Sequence, residues 1–222
     1  MMTETAVEPG RAPRGRRPMS ERRRSLQRLE ISREAIRLFR AQGVAETGAE
    51  QIADGVGLSV RTLWRYFRSK ESCVEPVLSL TIDAFVATLR RWPAERSLEE
   101  HLVADHRLPD HAAAAGDGDA ALAVIALSRH EPALRAIWLV VYERAEPVLA
   151  AVVAERLGRP ADELAVRVQA ATLAAALRIA TEDIAVSVVG GGGTPADAVE
   201  RLSEAVRAAT HGVVGDALTT SP

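Results

Sequence analysis

Apolar residues recur along this 222-residue chain at three- and four-residue intervals, and no useful stretch alternates as a half-buried strand requires. The pattern predicts an all-α fold. Ile31, Ala35, Leu38 and Phe39 fall at i, i+4, i+7 and i+8, one face of a helix that Gly43 should stop. A short second helix is expected over residues 50–55, around Ile52 and Ala53. Gly57 punctuates it, and Ser59 is placed to N-cap a third helix running to about Phe67. Ser69 can cap a long fourth helix reaching about Arg91, where Trp92 and Pro93 end it. Pro76 lies inside that helix with its ring opposed to the carbonyl of Ser72, which predicts a kink.

Further on, a helix is expected from Ser97 to about His106, a loose segment over 112–119, and a short helix over 120–129. Leu134, Ile137, Trp138, Val141, Tyr142, Ala145, Val148, Leu149 and Val152 form one apolar stripe, predicted to kink at Pro147. The helix over 162–189 is apolar nearly all round and must be covered nearly all round. One protomer has few helices left for that, so a partner subunit is the simplest cover and a homodimer the expectation. After the glycines of 190–193, Thr194-Pro195-Ala196-Asp197 reads as a capping box with proline at the first helical position. It opens a last helix over 195–211.

Charge divides the chain where its mean conceals a division. Residues 1–72 hold 15 basic and 9 acidic residues, and residues 73–222 hold 13 and 21, although the whole carries only −2. A basic front and an acidic rear point to a polyanion partner for the first third alone. Residues 1–24 read as a disordered arm: Pro9, Gly10, Pro13, Gly15 and Pro18 oppose regular structure, and seven arginines lie between Arg11 and Arg24. The single cysteine, Cys73, allows no intrachain disulfide, so a reducing cytoplasm is expected. No apolar N-terminal stretch resembles a signal sequence, and Arg167, Gln169, Arg178, Glu182 and Asp183 would make 164–189 a costly membrane span.

Three short helices with a Gly-bearing turn between the second and third are what a helix-turn-helix needs. Its third helix enters the major groove of double-stranded DNA. Here that helix offers Ser59, Val60, Arg61, Thr62, Trp64, Arg65 and Tyr66. Arginine pairs with guanine O6 and N7, and threonine or valine touches a thymine methyl, so Arg61, Thr62 and Arg65 are assigned to base edges. Trp64, Tyr66 and Lys70 carry donors suited to phosphate oxygens.

The run Ala35-x-x-Leu38-Phe39-x-x-x-Gly43-x-x-x-Thr47-x-x-x-x-Ile52-Ala53-x-x-x-Gly57-Leu58-Ser59-x-x-Thr62-Leu63-Trp64-Arg65-Tyr66-Phe67-x-Ser69-Lys70-Glu71 resembles the TetR/AcrR family of regulators. The resemblance covers about 45 residues closely and the remainder only in helix count and size. It implies a helix-turn-helix domain over 25–72 and a helical effector-binding and dimerisation domain over 73–222. It also implies a repressor released from operator DNA by a small apolar effector, without cofactor or metal, and adds Thr47 and Gly48 to the DNA-binding positions. Gly48 departs from the family's usual Ser or Thr, at the cost of a helix cap and a hydroxyl. Ala49 is lighter than usual there, and Trp64 replaces a tyrosine.

Phe85, Trp92, His101, His130, Trp138 and Tyr142 are the candidate lining of an effector cavity, with His106 beside them. His101, His106 and His111 invite a metal reading, but the i, i+5 spacing turns successive rings about 140° apart on a helix. The glycines of 190–193 lack the Lys-Ser/Thr of a phosphate loop. No nucleophile elbow, paired catalytic carboxylates or Cys/His pairing supports an enzyme. A small-molecule-binding protein of the same fold without operator activity is the alternative, and Arg61, Arg65, Tyr66 and Lys70 argue against it.

Overall fold

The computed structural model describes residues 20–93, 95–105 and 112–211, and every regular element among them is helical. Helix α1, Glu21–Gln42, buries Ile31, Ala35, Leu38 and Phe39, the stripe that periodicity predicts. It begins earlier than expected. Glu21 favours the positive end of the helix dipole, and Arg22, Arg23 and Arg24 therefore lie on a helix and not in a disordered arm. The remainder of that arm lies outside the described residues.

Gly43, at φ 87°, ends α1 in a conformation that a side chain would strain. Helix α2, Ala49–Gly55, closes in a Schellman arrangement. Leu58 N–H donates to Ala53 O at 2.8 Å and Gly57 N–H to Asp54 O at 3.1 Å, with Gly57 left-handed at φ 64°. Helix α3, Val60–Leu63, is shorter than expected, its axis continuing through Tyr66 as looser turns. The carbonyl of Tyr66, freed at that end, accepts from Arg28 Nη1 on α1 at 3.0 Å.

Pro76 does not kink a helix. Ser69 and Ser72 cap each other's backbone N–H at 3.1 and 3.2 Å, a 3-10 turn covers Glu71–Val74, and α4 (Glu75–Arg90) begins only there. Pro76 thus occupies the first turn of α4, where its missing N–H costs nothing. Pro147 behaves alike. The single kinked helix expected across it is two helices, α7 (Pro132–Glu143) and α8 (Glu146–Leu157), with Pro147 in the first turn of the second.

Ser97 and Glu100 form a reciprocal capping box at α5, Leu98–Asp105. The segment expected to be loose is the first half of α6, Ala112–Leu127. Its local sequence, Gly116-Asp117-Gly118, opposes a helix, but a tertiary ion pair holds Asp117 to Arg33 of α1. Helix α9, Leu164–Val189, packs against α6, α8 and α10 (Pro195–His211), and α10 also meets α5. The predicted Thr194–Asp197 box caps α10, at 2.8 and 3.2 Å. By length and composition alone the run Glu71–Arg90 could cross a membrane, but Cys73, Val74, Val77, Leu78, Ile82, Val86 and Leu89 of that run are buried in the core.

Candidate nucleic-acid interface

Leu63 and Phe67 anchor the third helix in the core, which turns the opposite side of the same turns outward. Ser59, Arg61, Trp64 and Arg65 are exposed there, and Val60, Thr62 and Tyr66 are half-buried. Trp64 keeps 44% of its surface open, an unusual exposure for an indole that no core requires. Arg61 and Arg65 make no hydrogen bond or ion pair among the described residues, so both guanidinium forks are available to a ligand. Ser59 caps the helix: its Oγ accepts from Thr62 N–H at 3.2 Å and lies 2.8 Å from Thr62 Oγ1. The Thr62 hydroxyl is therefore tied to the cap, and its methyl is what it can offer a base.

Three positions named from sequence are engaged in bonds within the domain. Thr47 is buried, and its hydroxyl donates to Gly43 O at 2.7 Å, so it braces the α1–α2 loop. Gly48 N–H donates to Gln51 Oε1 at 2.8 Å; this is the half of a capping box that needs no side chain at Gly48. Gln42 Nε2 reaches the same Gln51 oxygen at 2.9 Å. The ammonium of Lys70 donates to Val44 O, Ala45 O and Thr47 O at 2.6, 3.3 and 2.8 Å, using all three of its protons on that loop. Sequence reasoning had no signal for this, because a lysine beside a basic segment looks the same whether it faces phosphate or carbonyl.

Glu75 of α4 ties this unit to the rest of the chain. Arg28 lies 4.7 Å over the Phe67 ring and pairs with Glu75 of α4, which also takes Arg144 at 2.8 Å. Cys73 is enclosed at the junction, where burial pushes its thiol up to about 12 and removes any reactive thiolate at neutral pH.

Among the described residues, the effector positions expected from sequence are for the most part engaged in packing and internal hydrogen bonds. Trp138 and Tyr142 are buried against each other, edge to face at 5.1 Å. Trp138 Nε1 donates to Glu182 Oε1 at 2.9 Å, and the Tyr142 hydroxyl to Ala174 O at 2.9 Å. Arg135 and Arg178 also donate to Glu182 Oε1, at 2.6 and 2.8 Å. Burial pushes the Glu182 carboxyl up, but these three donors outweigh it and hold the group below its ordinary 4.5. Trp92 packs under the Arg156 guanidinium at 3.7 Å. His101 is buried with Nε2 on Thr88 O at 2.9 Å, and Phe85 is half-buried against the core. His130 lines a cleft of about 510 Å³ shared with Arg129, Arg135, Ile179, Glu182 and Asp183. His106 and His111 lie outside the described residues.

The sequence profile of bacterial regulatory proteins of the tetR family matches residues 31–77, and that of the MftR C-terminal domain matches residues 116–214. This chain is a member of the tetR family of transcriptional regulators. The regulator is 36% identical over 149 residues to the HTH-type transcriptional regulator TcmR of Streptomyces glaucescens, covering 64% of this chain and 66% of that protein. It thus spans about two thirds of the length of that relative. Its fold is that of Thermus thermophilus FadR, a repressor solved with lauroyl-CoA, at TM-score 0.55 and 21% identity over 84% of this chain and 94% of that one. A regulator from Mesorhizobium loti (TM-score 0.55, 20% identity, 85% and 97% covered) and Salmonella enterica GusR (0.54, 18%, 84% and 96%) share it.

Proposed function

We propose that this regulator is a homodimeric repressor whose α3 reads operator DNA and whose C-terminal half binds a small molecule that releases it. The observation that carries the reading is the outward face of α3, where two unpaired arginines flank an exposed tryptophan on a helix braced by buried Leu63 and Phe67. Arg61 and Arg65 contact base edges, Thr62 and Val60 offer methyl groups, and Trp64 and Tyr66 contact phosphates. Thr47, Gly48 and Lys70 act one step back, by holding the loop and the start of α2 that set the angle of α3.

The proposed dimer is supported by α9. Its inner face is core, but Leu164, Val168, Ile179, Val186 and Val189 form an exposed apolar stripe, with Ile179 52% open. A stripe of that length on one protomer is an interface in want of a partner. On the effector side, the cleft at the α6–α7 turn is lined by His130, Arg135 and Glu182, so a polar or amphipathic molecule fits it better than a purely apolar one.

A salt series of gel shifts with the full chain and the duplex upstream of its own coding sequence tests the reading. Sequence-preferring binding that weakens linearly in log–log with salt is expected. Equal affinity for that duplex and for random DNA refutes it.

A further inference from the structure

A second cleft, of about 660 Å³, opens between α1 and α6, away from both sites above. Arg33, Arg37 and Arg40 line it from α1 at i, i+4 and i+7, so three guanidinium groups share one helix face. Like charges at that spacing repel unless something neutralises them. Asp117 of α6 is the acidic residue lining the cleft, and it takes Nε and Nη2 of Arg33, both at 2.7 Å. Glu34 takes Arg37 in the same two-pronged way, from the same helix. That leaves one positive charge in surplus. Arg40 is exposed with no hydrogen bond or ion pair among the described residues, and Nη1 of Arg33 is not used by Asp117.

The surroundings suit a bound anion with some body to it. Ile36 and Ala120, both buried, give the cleft an apolar floor, which strengthens charge–charge attraction above it. At the rim, a Cβ built on Gly116 would meet nothing within 4 Å, so the entrance is roomy. Arginine's planar fork matches phosphate oxygens in pairs.

We infer that this cleft is a binding site for a small phosphate-bearing anion, held by Arg40 and Arg33, which competes with Asp117 for the Arg33 guanidinium. The two partners of the bridge are unequal. Asp117 has 5% of its side chain exposed and cannot follow a ligand outward, whereas Arg33 has 48% exposed and can swing. Arg33 belongs to the DNA-reading unit and Asp117 to the effector half, so an occupied cleft loosens the contact between them. That consequence rests on the function proposed above; the site itself does not, and its test needs no DNA.

Inorganic pyrophosphate is titrated calorimetrically into the full chain, with ionic strength held constant by sodium chloride. One saturable site per protomer is expected. Arg40→Glu should weaken binding at least tenfold. Arg90→Glu, the same charge change at the exposed end of α4, should alter it less than twofold. Asp117→Asn should tighten binding several-fold, because it removes the competing carboxylate; a purely structural role for Asp117 predicts equal or weaker binding. Unsaturable binding, equal loss in the Arg40 and Arg90 variants, or binding no tighter than wild type by a folded Asp117→Asn protein each overturns the inference. Should thermal melts find Asp117→Asn unfolded, the Arg40 and Arg90 comparison decides alone.

Discussion

Ser32 Oγ on α1 accepts the backbone N–H of Val77 on α4 at 3.3 Å, in a wholly buried position. The pairing explains a serine on an otherwise apolar helix face. Val77 lies in the first turn of α4, where an N–H has no partner within the helix, and a side chain 45 residues away satisfies it. Ser32→Ala should leave that donor buried and unpaired, at a cost of about 1–3 kcal/mol in a urea titration. A change within experimental error contradicts this assignment.

The Glu182 cluster gives the fold an acid-sensitive element. With the folded pKa held below 4.5, the cluster's stabilisation is fully present above the unfolded value and is lost as pH falls through the lowered folded one. Glu182→Gln should therefore be less stable than wild type at pH 7 and show a flatter stability profile below about pH 4.5. Because Trp138 donates to this carboxylate, its emission should shift over the same window in wild type only. Parallel profiles for the two proteins count against the cluster.

Much of this was legible in the sequence, for reasons that differ by element. Helices α1 to α3 are periodic and punctuated by Gly43, Gly57 and Ser59, each of which has a local structural effect. The prolines misled: Pro76 and Pro147 mark helix starts, and periodicity cannot separate a kinked helix from two collinear ones. The first half of α6 was illegible because its support is Arg33, 84 residues away from Asp117. The bonding of Lys70 to loop carbonyls and the pairing of Trp138 with Tyr142 likewise depend on which groups meet in space, a thing composition and spacing do not encode.

The apolar stripe of α9 is the proposed dimer contact. Ile179→Glu places a charge where the protomer already exposes the side chain, so the protomer fold should survive by circular dichroism. At a partner-covered face the same charge is buried unpaired, and the dimer should weaken at least tenfold in sedimentation velocity, roughly 1.4 kcal/mol or more. Wild-type association by the variant would assign the stripe elsewhere.

The central claim is that α3 reads DNA sequence through Arg61 and Arg65, while Lys70 only supports the loop behind it. Selection of bound duplexes from a random pool, sequenced for wild type, Arg61→Ala, Arg65→Ala and Lys70→Ala, tests it most directly. Wild type should recover a palindrome, as a twofold dimer requires. Losing one arginine should relax preference at one position in each half-site by about 1–3 kcal/mol. Lys70→Ala should recover the wild-type palindrome with lower yield, together with a lower melting temperature. Recovery of an altered palindrome by Lys70→Ala, with both arginine variants selecting the wild-type sequence unchanged, would contradict the account.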